Sequence, residues 1–170
     1  MVHLTKIYTK TGDGGETSLA NGNRVPKHSP EIIAVGAIDE ANSTIGMIGA
    51  EYYNDIIQRV QSDLFDIGAE LSGATTIKIT KSRVDYLENV IDDYNEFLEP
   101  LHSFVLPVGP LHHARTVVRR AELQVWWADN YMKINEFIPQ YLNRLSDLLF
   151  VMARYHNRGN EAIWIPRNEE

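Results

Sequence analysis

At 170 residues, 44% of them apolar, the chain is long enough for one domain with a sizeable core. A formal charge of −7 argues against a general nucleic-acid binder, because phosphate backbones are held by basic surfaces, and the lack of cysteine excludes disulfides, thiolate nucleophiles and cysteine zinc sites. No apolar run approaches the roughly 18 residues of a membrane span and MVHLTKIYTK lacks the apolar core of a signal peptide, so a soluble cytoplasmic protein is expected.

Residues 9–29, TKTGDGGETSLANGNRVPKHS, carry no hydrophobic period and read as a loop, long enough to be functional or disordered. The rest shows apolar residues at alternating steps of three and four, the helical pattern. A first helix over 31–53 carries Ala34, Ile38, Ala41, Ile45, Ile48 and Tyr52, with Pro30 suited to its first turn and Ser29 a candidate cap. A second over 55–72 carries Ile57, Val60, Leu64, Ile67 and Leu71. A third over 81–98, capped by Thr80 or Ser82, carries Val84, Leu87, Ile91, Tyr94 and Leu98. A fourth over 111–132 carries the small stripe Ala114, Val118, Ala121, Val125 and Ala128, where a neighbour can approach closely. A fifth over 138–157 carries Ile138, Leu142, Leu145, Leu149 and Met152. The stripes keep a spacing that favours left-handed, near-parallel packing. The expected fold is therefore all-α: a five-helix bundle over 30–157, preceded by a Gly/Thr-rich loop segment (1–29), followed by a tail (158–170), in a single domain. IKIT (77–80) could be a short strand, but one strand makes no sheet.

Four segments carry candidate chemistry. In Thr9-Lys10-Thr11-Gly12-Asp13-Gly14-Gly15-Glu16-Thr17, glycines let backbone N–H groups turn toward an anion, and lysine adds a point charge. Alone, TGDGG reads first as a turn; Lys27 just beyond it strengthens the reading as a phosphate cradle. On the fourth helix Arg115 and Arg119 share a face, with Arg120 one position round. Three guanidiniums on under two turns are either paired with acids such as Glu122 or form a clamp for a polyphosphate. Asn143, Arg144, Ser146 and Asp147 form a polar cluster beside the fifth stripe, either a buried network or the lining of a site. Asp39, in Asp39-Glu40-Ala41-Asn42, is an exposed helical acid or the partner of an arginine such as Arg115. Adjacent His112 and His113 diverge on a helix, and no metal-binding spacing is present, so no metal held by protein side chains is expected.

The order TKTGDxGxT, RVxKxS, AxGxxDExN, FxLP, LHxAR with RRAE, and YLNRLSDxLF resembles ATP:cob(I)alamin adenosyltransferases of the trimeric, propanediol-utilisation class, over nearly the whole chain. The resemblance implies a homotrimer with intersubunit active sites that transfers the 5′-deoxyadenosyl group of ATP to the cobalt of cob(I)alamin, giving adenosylcobalamin and triphosphate. It implies that Thr9, Lys10, Thr11, Gly12, Asp13, Gly15 and Lys27 bind ATP, with magnesium (Mg2+) on the phosphates. Arg119 matches the ATP-contacting arginine, and Glu122 and Asn143 match nucleotide-site positions. Asp39 and Arg115 match an intersubunit salt bridge beside the corrinoid, and Phe104 an aromatic that closes the lower face of cobalamin. A reductase and an adenosylcobalamin-dependent enzyme are the partners it implies.

There are departures. Pro107-Val108-Gly109-Pro110 has one glycine where two are usual, and about five residues are missing before Leu111. Ala41 replaces leucine, and Leu123 follows RRAE where arginine is usual. The shortened loop motivates a second reading, an ATP-binding trimer that senses or delivers cofactor without adenosyl transfer. The acidic excess lies apart from nearly all these motifs: residues 51–110 contain 4 basic and 11 acidic residues, whereas the remainder holds 12 of each. An acidic chain can therefore present a cationic pocket to ATP.

Overall fold

The computed structural model describes residues 7–49, 52, 55–158 and 160–167. Residues 1–6 of the loop segment, 50, 51 and 53 of the expected first helix, and 159 and 168–170 of the tail lie outside the described residues. Five helices form: α1 (Pro30–Gly49), α2 (Asp55–Leu71), α3 (Lys81–Asn95), α4 (Pro110–Ala128) and α5 (Phe137–Asn157). The expected stripes of α1, α2, α4 and α5 are buried, apart from half-buried Tyr52. On α3 the buried set is Val84, Leu87 and Val90, with Ile91, Tyr94 and Leu98 at its margin.

Helix α4 packs against both α1 and α5, α2 against α1, and α3 against α5. The alanines of α4 make its central place physically reasonable: Ala114, Ala121 and Ala128 are buried with Ala34 and Ala41 of α1, so two helices can close in without overpacking.

A polar network ties α2 to α3 and α5. Asp63 is 6% exposed and accepts from Arg83 Nη1 at 2.8 Å and from the buried Tyr141 hydroxyl at 2.9 Å. Arg83 also reaches Asp66 at 2.6 Å. Burial, then the Asp63 carboxylate, pushes the Tyr141 phenol well above its ordinary value, so it remains a donor at neutral pH. Asp63→Ala leaves the Tyr141 hydroxyl buried and unpaired while Arg83 keeps Asp66. We expect a loss of about 2–3 kcal/mol, read as a lower thermal midpoint in calorimetry.

Several helix ends differ from expectation. The Ser29 hydroxyl is buried without a partner and does not cap α1, although its carbonyl accepts from Ile33 N–H. Thr80 stands at the N-cap of α3 but bonds Ser82 Oγ rather than the helix backbone. Helix α3 stops before 96–98, where Phe97 and Leu98 turn back three residues in tighter turns. Helix α4 stops at Ala128, and just beyond it Asn130 Nδ2 donates to the carbonyls of Trp126 and Trp127 in the last turn. IKIT forms no strand; Ile79 N–H donates instead to Glu70 Oε2 at 2.7 Å.

The expected loop contains a small hairpin. Strands β1 (Glu16–Ser18) and β2 (Arg24–Pro26) pair antiparallel, with Thr17 opposite Val25. Three residues per strand are too few for an alternating apolar pattern, and such a hairpin is marginal alone. It is docked onto the end of α2 by Ala20 N–H donating to Ser72 O at 2.9 Å.

Candidate active site

The N-terminal loop is a built structure. Asp13 N–H closes a turn on Lys10 O, and Gly15 N–H closes the next on Gly12 O. Lys10 itself adopts a left-handed backbone, at φ 61°. Thr9 and Thr11 hydroxyls are 2.9 Å apart. Arg24 braces the loop from the hairpin, donating to Thr11 O at 3.0 Å and meeting Glu16 at 3.5 Å. Nothing in the local sequence marks Arg24 for this bracing role, because Thr11 lies thirteen positions away.

The glycines have distinct duties. A Cβ on Gly12 would lie 3.1 Å from Lys27 Nζ, so the bare backbone lets that ammonium come down over the turn. Gly15 sits at φ +87°, and its carbonyl accepts from Lys27 N–H at 2.9 Å. Lys27 is thus held by both its backbone and the room at Gly12. Lys10 and Lys27 have no carboxylate partner among the described residues. Asp13 and both threonines are exposed on the same loop.

On α4 the three arginines divide their tasks. Arg120 pairs with Glu40 of α1 at 2.6 Å, not with Glu122. Arg119 is exposed and forms no ion pair or hydrogen bond among the described residues. Arg115 is half-buried, with its guanidinium carbon 5.5 Å from the centre of the Phe150 ring and its Nε buried without an acceptor. Burial, then the like charge of Arg119, lowers the Arg115 pKa, and Asp147 opposes this. Asp39 lies in a shallow groove of α1 and α2 with Asn42, Ser43, Gln61 and Phe65. Although exposed, its carboxyl is pushed up by partial desolvation there. The Asn42 side chain donates to Gln61 O, while its own Oδ1 is buried and unpartnered.

Within one chain the predicted residues are not all brought together. Asp39 and Arg115 form no ion pair, and no hydrogen bond or ion pair joins residues 9–29 to Arg115, Arg119 or Glu122 among the described residues. Glu122 is half-buried on α4. Asn143 is half-buried on α5, its Oδ1 accepting from Arg144, which pairs with Glu88 of α3. Ser146 is buried with an unpartnered hydroxyl, and Asp147 is exposed.

Phe104 stands 78% exposed in the segment between α3 and α4. The tail, which the helical pattern leaves unassigned, runs antiparallel beside it, with Val105 bridging to Ile163. Leu106 N–H donates to Ala162 O at 2.7 Å and Trp164 N–H to Phe104 O at 2.8 Å. The Phe104 and Trp164 rings meet edge-on, with centroids 6.1 Å apart. Behind the loop a cavity of about 220 Å³ is lined by Val105, Leu106, His112, Glu161 and Ala162, among others. His112 is buried and its ring lies 5.8 Å from Phe150, which links this end of the molecule to Arg115. Burial, then the Arg115 charge, lowers the His112 pKa, which favours the neutral ring. The one sequence signal for this pairing is the apolar group Ile163-Trp164-Ile165 beyond the last helical stripe.

Comparison with known proteins gives a consistent result. The sequence profile of the cobalamin adenosyltransferase family matches residues 7–156. The corrinoid adenosyltransferase of Mycobacterium leprae is 42% identical over 187 aligned positions, covering 97% of this chain and 98% of that protein. That of Bacillus subtilis is 40% identical, covering 89% and 86% respectively. A solved variant of the PduO-type ATP:corrinoid adenosyltransferase from Lactobacillus reuteri, complexed with cobalamin and ATP, superposes with a TM-score of 0.87 at 31% identity, covering 97% of this chain and 98% of that one. The chain belongs to the cobalamin adenosyltransferase family.

Proposed function

We propose that this chain transfers the 5′-deoxyadenosyl group of ATP to the cobalt of cob(I)alamin. The cobalt electron pair attacks C5′, the C5′–O5′ bond breaks, and triphosphate leaves with the bonding electrons. Cob(I) is already a strong nucleophile, so no general base is needed. The protein's work is to align C5′ with cobalt and to stabilise an anionic leaving group. The observation that carries this reading is a set of cations without carboxylate partners among the described residues, Lys10, Lys27 over Gly12, and Arg119, all within the stretch that matches the family.

In this reading Thr9, Lys10, Thr11, Gly12, Asp13, Gly15 and Lys27 cradle the triphosphate, and Arg119, with Glu122 and Asn143, completes the nucleotide site. Mg2+ prefers oxygen ligands, which the phosphates supply; the exposed Asp13 carboxylate and threonine hydroxyls of the loop fit the same cation. When bound, magnesium neutralises charge on the leaving triphosphate. The site lies between copies of a homotrimer. Three features support this, all among the described residues: no hydrogen bond or ion pair joins the loop to Arg115 or Arg119, Asp39 and Arg115 are not paired with each other, and Arg115 Nε lacks an acceptor. An Asp39–Arg115 pair across subunits joins these two uncommitted groups beside the corrinoid, and Phe104 covers its lower face. No helix among the described residues is long and apolar enough to cross a membrane. A cytoplasmic setting, with a reductase upstream and an adenosylcobalamin-dependent enzyme downstream, suits this chemistry.

The test is a spectrophotometric assay with ATP and chemically reduced cobalamin. We expect equal amounts of adenosylcobalamin and triphosphate. Retained ATP binding without adenosylcobalamin would favour a sensor or delivery protein.

A further inference from the structure

We propose that Arg154 is a positioning residue for Phe104, acting through Glu161 and the tail. The proposal rests on the reading of Phe104 as the lower-face residue. Arg154 lies in the last turn of α5 and is 7% exposed. Its guanidinium holds two segments far apart in sequence: Nε donates to Glu161 Oε1 at 2.9 Å, and Nη2 to Glu99 O at 2.8 Å. These are the roots of the two strands that pair beyond them, 104–106 and 162–164. Ser103 Oγ adds a bond to Trp164 O at 2.9 Å.

Phe104 belongs to no helix, and its ring is mostly solvent-exposed. Its backbone position is therefore set chiefly by the tail strand. Two backbone hydrogen bonds and a single bridge are a marginal pairing. A charge-assisted bond between side chains only 8% and 18% exposed is much stronger, and the planar fork of arginine can hold two acceptors in fixed relation. Arg154 thus fixes the register from which Phe104 projects. The segment before α4, shorter than is usual, has little of its own to do this.

An aromatic that excludes water from a corrin face must be placed closely, and displacement by an ångström can cost up to about 100-fold in rate. That cost falls on the reaction started from cob(II), which must lose its lower ligand before reduction. A reaction started from pre-reduced cob(I) avoids it. A merely stabilising Arg154 would affect both starts alike.

The experiment measures adenosylation by Arg154→Met, Arg154→Lys and Trp164→Pro from cob(II)alamin with reductant and from chemically reduced cob(I)alamin, with Phe104→Ala as reference. Trp164→Pro removes the N–H that bonds Phe104 O from an exposed tail and decides the matter if Arg154→Met does not fold. We expect Arg154→Met and Trp164→Pro to lose about tenfold from cob(II) and less than about twofold from cob(I), with Arg154→Lys between them and wild type. Equal losses from both starts, while Phe104→Ala discriminates, overturn the positioning role. If Phe104→Ala itself fails to discriminate, the lower-face reading falls and this proposal falls with it.

Discussion

Arg119→Ala is expected to lower kcat/KM for ATP by about 100- to 1000-fold while leaving the fold intact. The magnitude is that of removing one donor aimed at charge developing on a leaving group, roughly 3–4 kcal/mol in a site closed to water. Arg119 suits this role because it has nothing else to do. Of its neighbours, Arg120 pairs with Glu40, and Arg115 is half-buried with its guanidinium beside the Phe150 ring. Arg119 points to solvent beside that second cation, an arrangement that repels itself until an anion arrives. Because the side chain is exposed and forms no ion pair or hydrogen bond among the described residues, its removal should change stability by less than about 0.5 kcal/mol. Arg119→Lys should recover part of the loss, keeping the charge but not the fork. Unchanged turnover of ATP by the alanine variant, at unchanged thermal midpoint, would remove Arg119 from the nucleotide site.

The helices were legible because burial is periodic. Ile38, Leu64, Leu87, Val118 and Leu145 each sit on a run that helical geometry places on one face, and each is buried. What the period misses is pairing across sequence distance. The bridge from Val105 to Ile163 has no local pattern, because each strand's partner lies nearly sixty positions away and the segments are too short to alternate. The hairpin is missed for a related reason: its strands are too short to alternate, and it docks through Ala20 on Ser72, which no window around Thr17 contains.

Side-chain partners were equally hidden. Arg120 and Glu122 are two apart on one helix and diverge, whereas Glu40 faces Arg120 from the neighbouring helix. Only the packing of α1 on α4 decides that choice. The proposed site residues come from the resemblance rather than from any local pattern, and one sequence carries no mark of which copy of the chain would supply which of them. The single-chain geometry adds one observation that bears on the proposed division: buried polar atoms such as Arg115 Nε have no partner among the described residues.

Phe104→Ala is expected to slow adenosylation from cob(II)alamin by about 100-fold or more, against only a few-fold from pre-reduced cob(I)alamin. Cob(II) keeps a lower axial ligand, which raises the energy of the orbital that must receive the next electron. Removing that ligand makes reduction easier, but water takes its place unless the lower face is dry. A phenyl ring supplies no donor and occupies the volume a water would need. Phe104 is free to act this way because it contributes little to the core: its ring is exposed and meets the Trp164 ring edge-on. An ordinary core phenylalanine would behave otherwise, costing about 3–5 kcal/mol of stability on truncation and lowering both rates through loss of folded enzyme. The two roles therefore separate in a single pair of measurements. A thermal midpoint near that of the parent, together with a loss confined to the cob(II) start, assigns Phe104 to the corrinoid face. Equal losses from both starts would return it to a structural role, and the shortened loop before α4 would then need another residue to keep water from the cobalt.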